Sequence, residues 1–111
     1  MTGISTHLLD VATGRPITGV RIELFDLGEQ PPALVARAVS NAEGRNDAPM
    51  LDGELARRGE FELRLHLGAY FKVADALTDI VPVRFTVTDP ARHHHVPVAC
   101  SPWYVSVYRG S

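Results

Sequence analysis

Glu60-Phe61-Glu62-Leu63-Arg64-Leu65-His66-Leu67 is the stretch that decides the fold. Apolar side chains at 61, 63, 65 and 67 alternate with polar ones at 60, 62, 64 and 66. That period of two belongs to a strand with one buried face. Working outward, the same alternation recurs on both sides. Val20, Ile22 and Leu24 alternate with Arg21, Glu23 and Phe25, and Val81, Val83, Phe85 and Val87 stand opposite Arg84, Thr86 and Thr88. Weaker strands are predicted over residues 4–9 and 34–39, and two more over 93–100 and 103–108, joined at Ser101-Pro102. Turn formers punctuate these runs: Thr13-Gly14-Arg15-Pro16, Gln30-Pro31-Pro32, Asn41-Ala42-Glu43-Gly44 and Asp52-Gly53. Only residues 69–77, after Gly68, have helical composition, for two to three turns at most. About seven short, half-buried strands with regular turns predict an all-β, antiparallel sandwich. Pro97 lies inside the 93–100 run and has no N–H to give a ladder, so that strand is expected at an edge or bulged there.

Composition narrows the function classes. With 111 residues the chain is expected to form one domain over 1–111, and 45% hydrophobic and 22% charged residues are ordinary for a globular protein. A net charge of −2 advertises no basic surface for nucleic acid or anionic lipid. The apolar runs are far shorter than the ~20 residues of a membrane span. Residues 1–7 lack the charged-then-apolar pattern of a secretion signal, and Cys100, a lone cysteine, has no internal disulfide partner. A cytoplasmic location is the expectation.

His93-His94-His95 is the first candidate for chemistry. On a strand, His94 shares the core face with Val96, Val98 and Cys100. His93 and His95 point the other way, His95 together with Pro97, Ala99 and Ser101. Two same-face histidines and a distant third are too few for a zinc site, so no metal is expected. His7, Arg45 in its turn-rich loop, and the terminal Tyr108-Arg109-Gly110-Ser111 complete the set. Taken singly, each has an ordinary reading as a solvated strand, loop or tail residue.

Together they match a family. The chain resembles the transthyretin-like 5-hydroxyisourate hydrolases through Ser5-Thr6-His7-Leu8-Leu9-Asp10, Gly14-Arg15-Pro16, Asn41-Ala42-Glu43-Gly44-Arg45, Gly68-Ala69-Tyr70-Phe71, His95-Val96-Pro97, Ser101-Pro102 and Tyr108-Arg109-Gly110-Ser111. The resemblance spans essentially the whole chain, and the terminal tetrapeptide separates these hydrolases from transthyretin itself. It implies a transthyretin-like sandwich of two four-stranded antiparallel sheets, a short helix near 69–77, and no cofactor or metal. It also implies hydrolysis of 5-hydroxyisourate, the unstable product of urate oxidase, to 2-oxo-4-hydroxy-4-carboxy-5-ureidoimidazoline on the path to allantoin. The catalytic residues carried over are His7, Arg45 and His95, with Tyr108, Arg109, Gly110 and Ser111 binding substrate. A homotetramer with its sites in the channel between dimers is implied as well.

The residue types suit that chemistry. Imidazole titrates near pH ~6.5 and takes a proton from water at neutral pH. A neighbouring arginine keeps histidine in its neutral, basic form and holds a developing oxyanion with its planar fork. His7 and His95 are therefore expected to activate water, Arg45 to hold the carbonyl oxygen, and the tail to orient the substrate. Three departures from the family pattern stand out: His94 where tyrosine is common, Asn46 where cysteine or another small residue is common, and Trp103-Tyr104-Val105 in place of a stretch that is aromatic, small, then tyrosine. Tyr108 is expected on the non-core side, opposite in phase to Trp103, Val105 and Val107, and Cys100 in the core. Two rival readings are a transthyretin-like module that binds a small aromatic ligand without catalysis, and a generic immunoglobulin-like domain. Neither accounts for His7, Arg45, His95 and the terminal tetrapeptide occurring together.

Overall fold

The structure, a computed structural model, describes residues 3–51 and 57–110; the Asp52-Gly53 turn and Ser111 lie outside the described residues. The elements run β1 (Gly3–Asp10), β2 (Arg15–Pro16), β3 (Arg21–Asp26), β4 (Ala33–Val39), β5 (Gly59–His66), α1 (Leu67–Phe71), β6 (Ile80–Val87), β7 (His93–Ser101) and β8 (Tyr104–Val107). They form two four-stranded sheets, β2-β1-β7-β8 and β4-β3-β5-β6. Each predicted strand is present within a residue or two. The two residues of β2, read from sequence as part of a turn, add an eighth by pairing with Leu9 and Asp10.

The sandwich closes where the alternation says it should. Phe61, Leu63, Leu65, Ile22 and Leu24 from one sheet meet Ile4, Leu8, Val98 and Cys100 from the other, all fully or nearly fully buried. Apolar surface removed from water on these facing sides drives the two layers together. The rest of the second sheet's alternation turns outward: Phe25 lies under the Arg64 guanidinium, 3.8 Å from its ring centroid. Glu62 is the exception on β5, buried although polar. Burial works against its carboxylate, but hydrogen bonds from Arg64 and Arg84 outweigh that and hold its pKa below the ordinary glutamate value.

Four expectations need correction. β1 and β7 pair in parallel, not antiparallel, from Gly3↔His93 through Asp10↔Cys100. They are separated by the whole second sheet, and so long a crossover permits either direction. Pro97 lies in an interior strand, between β1 and β8, with no bulge. Its missing N–H faces the C-terminal side, where Tyr108 N–H donates to Pro97 O at 3.3 Å and the return bond cannot form. The β8 ladder accordingly stops at Val107↔Val98, and one bridge, His95↔Gly110, resumes the same register beyond it.

The helix, expected over 69–77, starts two residues earlier, at Leu67, and ends at Phe71, far short of 77. Lys72 turns into the left-handed region (φ 54°) and its N–H caps Gly68 O, while Leu77 N–H is drawn away to Pro102 O in the β7–β8 turn. Finally, Val105 packs on the core as expected, but Trp103 falls in the turn before β8 and is 59% exposed, and Val107 is exposed too. β8 is the edge strand of its sheet and only four residues long.

Candidate active site

The outer face of the β1–β7 pair carries the site. Ile4, Thr6 and Leu8 on β1 and Val96, Val98 and Cys100 on β7 are buried, so the odd-numbered Ser5, His7, His93 and His95 share the opposite face. The parallel register sets Ser5 beside His95 and His7 beside Pro97. A sequence separation of about ninety residues is thereby reduced to neighbouring strands. Cys100 is buried as expected; burial, and then the Asp10 carboxylate, push its thiol up to about 11, which leaves it inert at neutral pH.

Arg45 arrives on the loop that covers the free edge of β1. Leu8 N–H donates to Gly44 O at 2.8 Å, and Ile4 and Met50 exchange two backbone bonds at 2.8 Å. Between them Asn46 substitutes its side chain for a strand: Thr6 N–H donates to Asn46 Oδ1 at 3.0 Å, and Asn46 Nδ2 donates to Ala48 O at 2.7 Å. Asn41 closes the loop's base by accepting from the Glu43 and Arg45 N–H groups on its Oδ1, while its own N–H donates to Arg45 O. Gly44 has φ +78°, and a Cβ there would sit 2.5 Å from Leu8 O and 3.3 Å from His7 Cδ2. Only glycine lets the loop approach β1 this closely, and that approach sets Arg45 opposite His7 in an isolated bridge.

The C-terminal tail closes the other flank. Gly110 N–H donates to His95 O at 2.9 Å, and a Cβ on Gly110 would run into the His95 ring. The result is an open cleft of about 440 Å³ lined by His7, Arg45, His95, Tyr108 and Gly110, together with Ser5, His93 and Pro97. Of the residues picked from sequence, Arg109 points elsewhere: it lines a neighbouring cleft of about 330 Å³ with Arg84, His94 and Val107, which shares His95 and Tyr108 with the first.

The electrostatics favour a neutral His95. Burial, then the charge of Arg45, then His93 and His7, push its pKa below the ordinary 6.5, with the Ser5 backbone pulling weakly the other way. Ser5 Oγ lies 2.7 Å from His95 Nδ1 and 2.7 Å from His93 Nε2. A half-buried neutral imidazole facing an arginine can take a proton from water, and the guanidinium can hold the oxygen on which charge develops. No group of three or more His, Cys, Asp or Glu among the described residues is placed to hold a metal ion, and no described helix is long and apolar enough to cross a membrane.

Sequence reading missed Ser5, His93 and Asn46 as members of the site. Alternation already put His93 on the His95 face, but Ser5 became visible only once β1 and β7 were known to be parallel neighbours. Asn46 was noted as a departure, and its work in holding the loop depends on pairing that spacing does not reveal.

The model of the HIUase/transthyretin family matches residues 4–110. A 5-hydroxyisourate hydrolase of Deinococcus radiodurans is 43% identical over 114 residues, covering 98% of this chain and 96% of its own. The solved structure of Klebsiella pneumoniae 5-hydroxyisourate hydrolase superposes with a TM-score of 0.80 at 33% identity, covering 97% of this chain and 98% of that one. The structure of an (S)-allantoin synthase superposes with a TM-score of 0.90 at 34% identity, covering 98% of this chain but only 43% of its own, so this chain spans less than half of that protein.

Proposed function

The chain belongs to the HIUase/transthyretin family, and from that premise we propose that it hydrolyses 5-hydroxyisourate to 2-oxo-4-hydroxy-4-carboxy-5-ureidoimidazoline. The observation that carries this reading is the convergence of His7, His95 and Arg45, from three separate parts of the chain, on one outward cleft closed by the C-terminal tail. His7 and His95 draw a proton from water as its oxygen attacks a ring carbonyl carbon. Arg45 holds the carbonyl oxygen as it becomes an oxyanion. The C–N bond of the ring then breaks, and a histidine returns the proton to the departing nitrogen. Tyr108 and Gly110 border the substrate, and Ser111, outside the described residues, and Arg109 complete the tail's share of the proposal.

The reading extends to assembly. Residues 1–111 act as one such domain, four copies of which form a homotetramer with the clefts between dimers. Supporting this, the site faces outward and the neighbouring edge carries Trp103, Tyr104, Val107 and Tyr108, all substantially exposed, a strip that a partner subunit would cover. A cytoplasmic location belongs to the same proposal. The non-catalytic binding module gains nothing from the geometry, because a carrier has no use for a neutral histidine set beside an arginine.

The reaction is tested by generating 5-hydroxyisourate with urate oxidase in ¹⁸O-enriched water and following the early product by mass spectrometry and ¹³C NMR. Hydrolysis predicts protein-dependent formation of a ureidoimidazoline with one ¹⁸O in its new carboxylate. Tight binding with no increase in that product would favour the carrier.

A further inference from the structure

Ser5 sits on β1 directly beside His95 on β7, and its single hydroxyl bridges two imidazoles. A serine hydroxyl has one proton to donate and lone pairs to accept with. Facing two ring nitrogens at 2.7 Å each, it donates to one and accepts from the other. Two arrangements satisfy all three groups. In one, His95 Nδ1–H donates to Ser5 Oγ and the Ser5 hydroxyl donates to His93 Nε2, which leaves His95 Nε2 bare. In the other, His93 Nε2–H donates to Ser5 and Ser5 donates to His95 Nδ1, so His95 carries its proton at Nε2. His95 Nε2 has no hydrogen-bond partner among the described residues, and His95 lines the cleft together with Arg45. The hydrogen bond at Nδ1 therefore decides whether the nitrogen left over is a base or an acid.

We propose that Ser5 and His93 form a proton relay behind His95, which lets His95 serve as base and then as acid without itself becoming a cation. This rests on the hydrolase reading above. As water attacks the ring carbonyl, its proton passes to His95 Nε2, the Nδ1 proton passes to Ser5 Oγ, and the Ser5 proton passes to His93 Nε2. The new C–O bond forms, His95 ends neutral with its proton at Nε2, and His93 carries the positive charge. When the ring C–N bond breaks, His95 Nε2–H protonates the departing nitrogen and the chain runs backwards: His93 to Ser5, Ser5 to His95 Nδ1. Every group returns to its starting state. Burial and the facing Arg45 make His95 a poor place to hold charge, and a relay removes that obstacle. Ser5 and His93 are positioning residues in this scheme, since they act through His95.

The test reads proton number as well as rate. In wild type, kcat measured across H₂O–D₂O mixtures should curve with deuterium fraction, because more than one proton moves. Ser5→Ala should lower kcat by on the order of tenfold or more with KM within about twofold, and its deuterium dependence should become linear. Ser5→Thr keeps a hydroxyl and should recover most of the rate and the curvature. His93→Gln can accept a hydrogen bond but no proton, and should behave like Ser5→Ala, giving a second route should either variant misfold. Ser5→Ala and His93→Gln both turning over near the wild-type rate, or a linear deuterium dependence in wild type, would overturn the relay while leaving the hydrolase reading intact. A wild-type protein with no activity on 5-hydroxyisourate would overturn both.

Discussion

At the scale of single residues, the site's behaviour turns on His95. Burial and Arg45 lower its pKa, so its neutral form persists below the ordinary 6.5 and kcat/KM should hold its plateau to a lower pH than a free imidazole would allow. Arg45→Met removes the second-largest cause. It should move the acidic limb of the kcat/KM profile upward, besides lowering its plateau; an unmoved limb would separate Arg45 from His95. The same shift bears on stability. The folded pKa lies below the unfolded one, so the unfolded chain binds the proton first as pH falls, and stability is complete above about pH 6.5 and declines below it. Gly44 is the other residue with a sharp expectation. Gly44→Ala forces φ +78° on a residue with a Cβ and drives that atom toward Leu8 O. A loss of about 1–3 kcal/mol in denaturant unfolding is expected, with a fall in activity as Arg45 is displaced. Unchanged stability and activity would mean that the loop does not set Arg45.

At the scale of elements, sequence was a good guide to strands and a poor one to what lies beside them. The alternation in β3, β5 and β6 was legible because one face of each packs into the core, and burial leaves a period of two in the residues. His95 could be aimed outward for the same reason. The parallel β1–β7 pairing, which makes Ser5 a neighbour of two histidines, joins residues near opposite ends of the chain and leaves no local signal. Pro97 misled because the rule against interior proline concerns a lost donor. Here that donor would face a tail whose ladder simply pauses. The helix fell short because Leu77 N–H bonds to Pro102 O, a competition composition cannot express. The loop of residues 41–50 replaces a strand along β1, and Asn46 is its pin. Asn46→Ala should leave the buried Thr6 N–H unpaired and lose about 1–3 kcal/mol by chemical denaturation. Asn46→Asp keeps the Oδ1 acceptor and should lose less; equal losses would show that packing, not the hydrogen bond, holds the loop.

At the scale of the whole molecule, the fold gives one sheet a site and a hydrophobic edge on the same side. A tetramer should sediment as four 12.1 kDa chains, and dilution into monomers should reduce specific activity; a fully active monomer would dissociate the chemistry from assembly. The tail makes a separate point. Tyr108 and Gly110 each donate one backbone hydrogen bond to β7, and Tyr108 is 60% exposed. Deleting residues 108–111 should therefore abolish most activity while shifting the melting temperature little. The account as a whole is tested most directly by the ultraviolet decay of 5-hydroxyisourate generated in place by urate oxidase, with wild type, His95→Ala and a protein-free blank run side by side, since the substrate also decays unaided. Decay that accelerates in proportion to wild-type protein and returns to the blank rate with His95→Ala is the predicted result. Decay at the blank rate with folded wild type, or equal acceleration by His95→Ala, would contradict it.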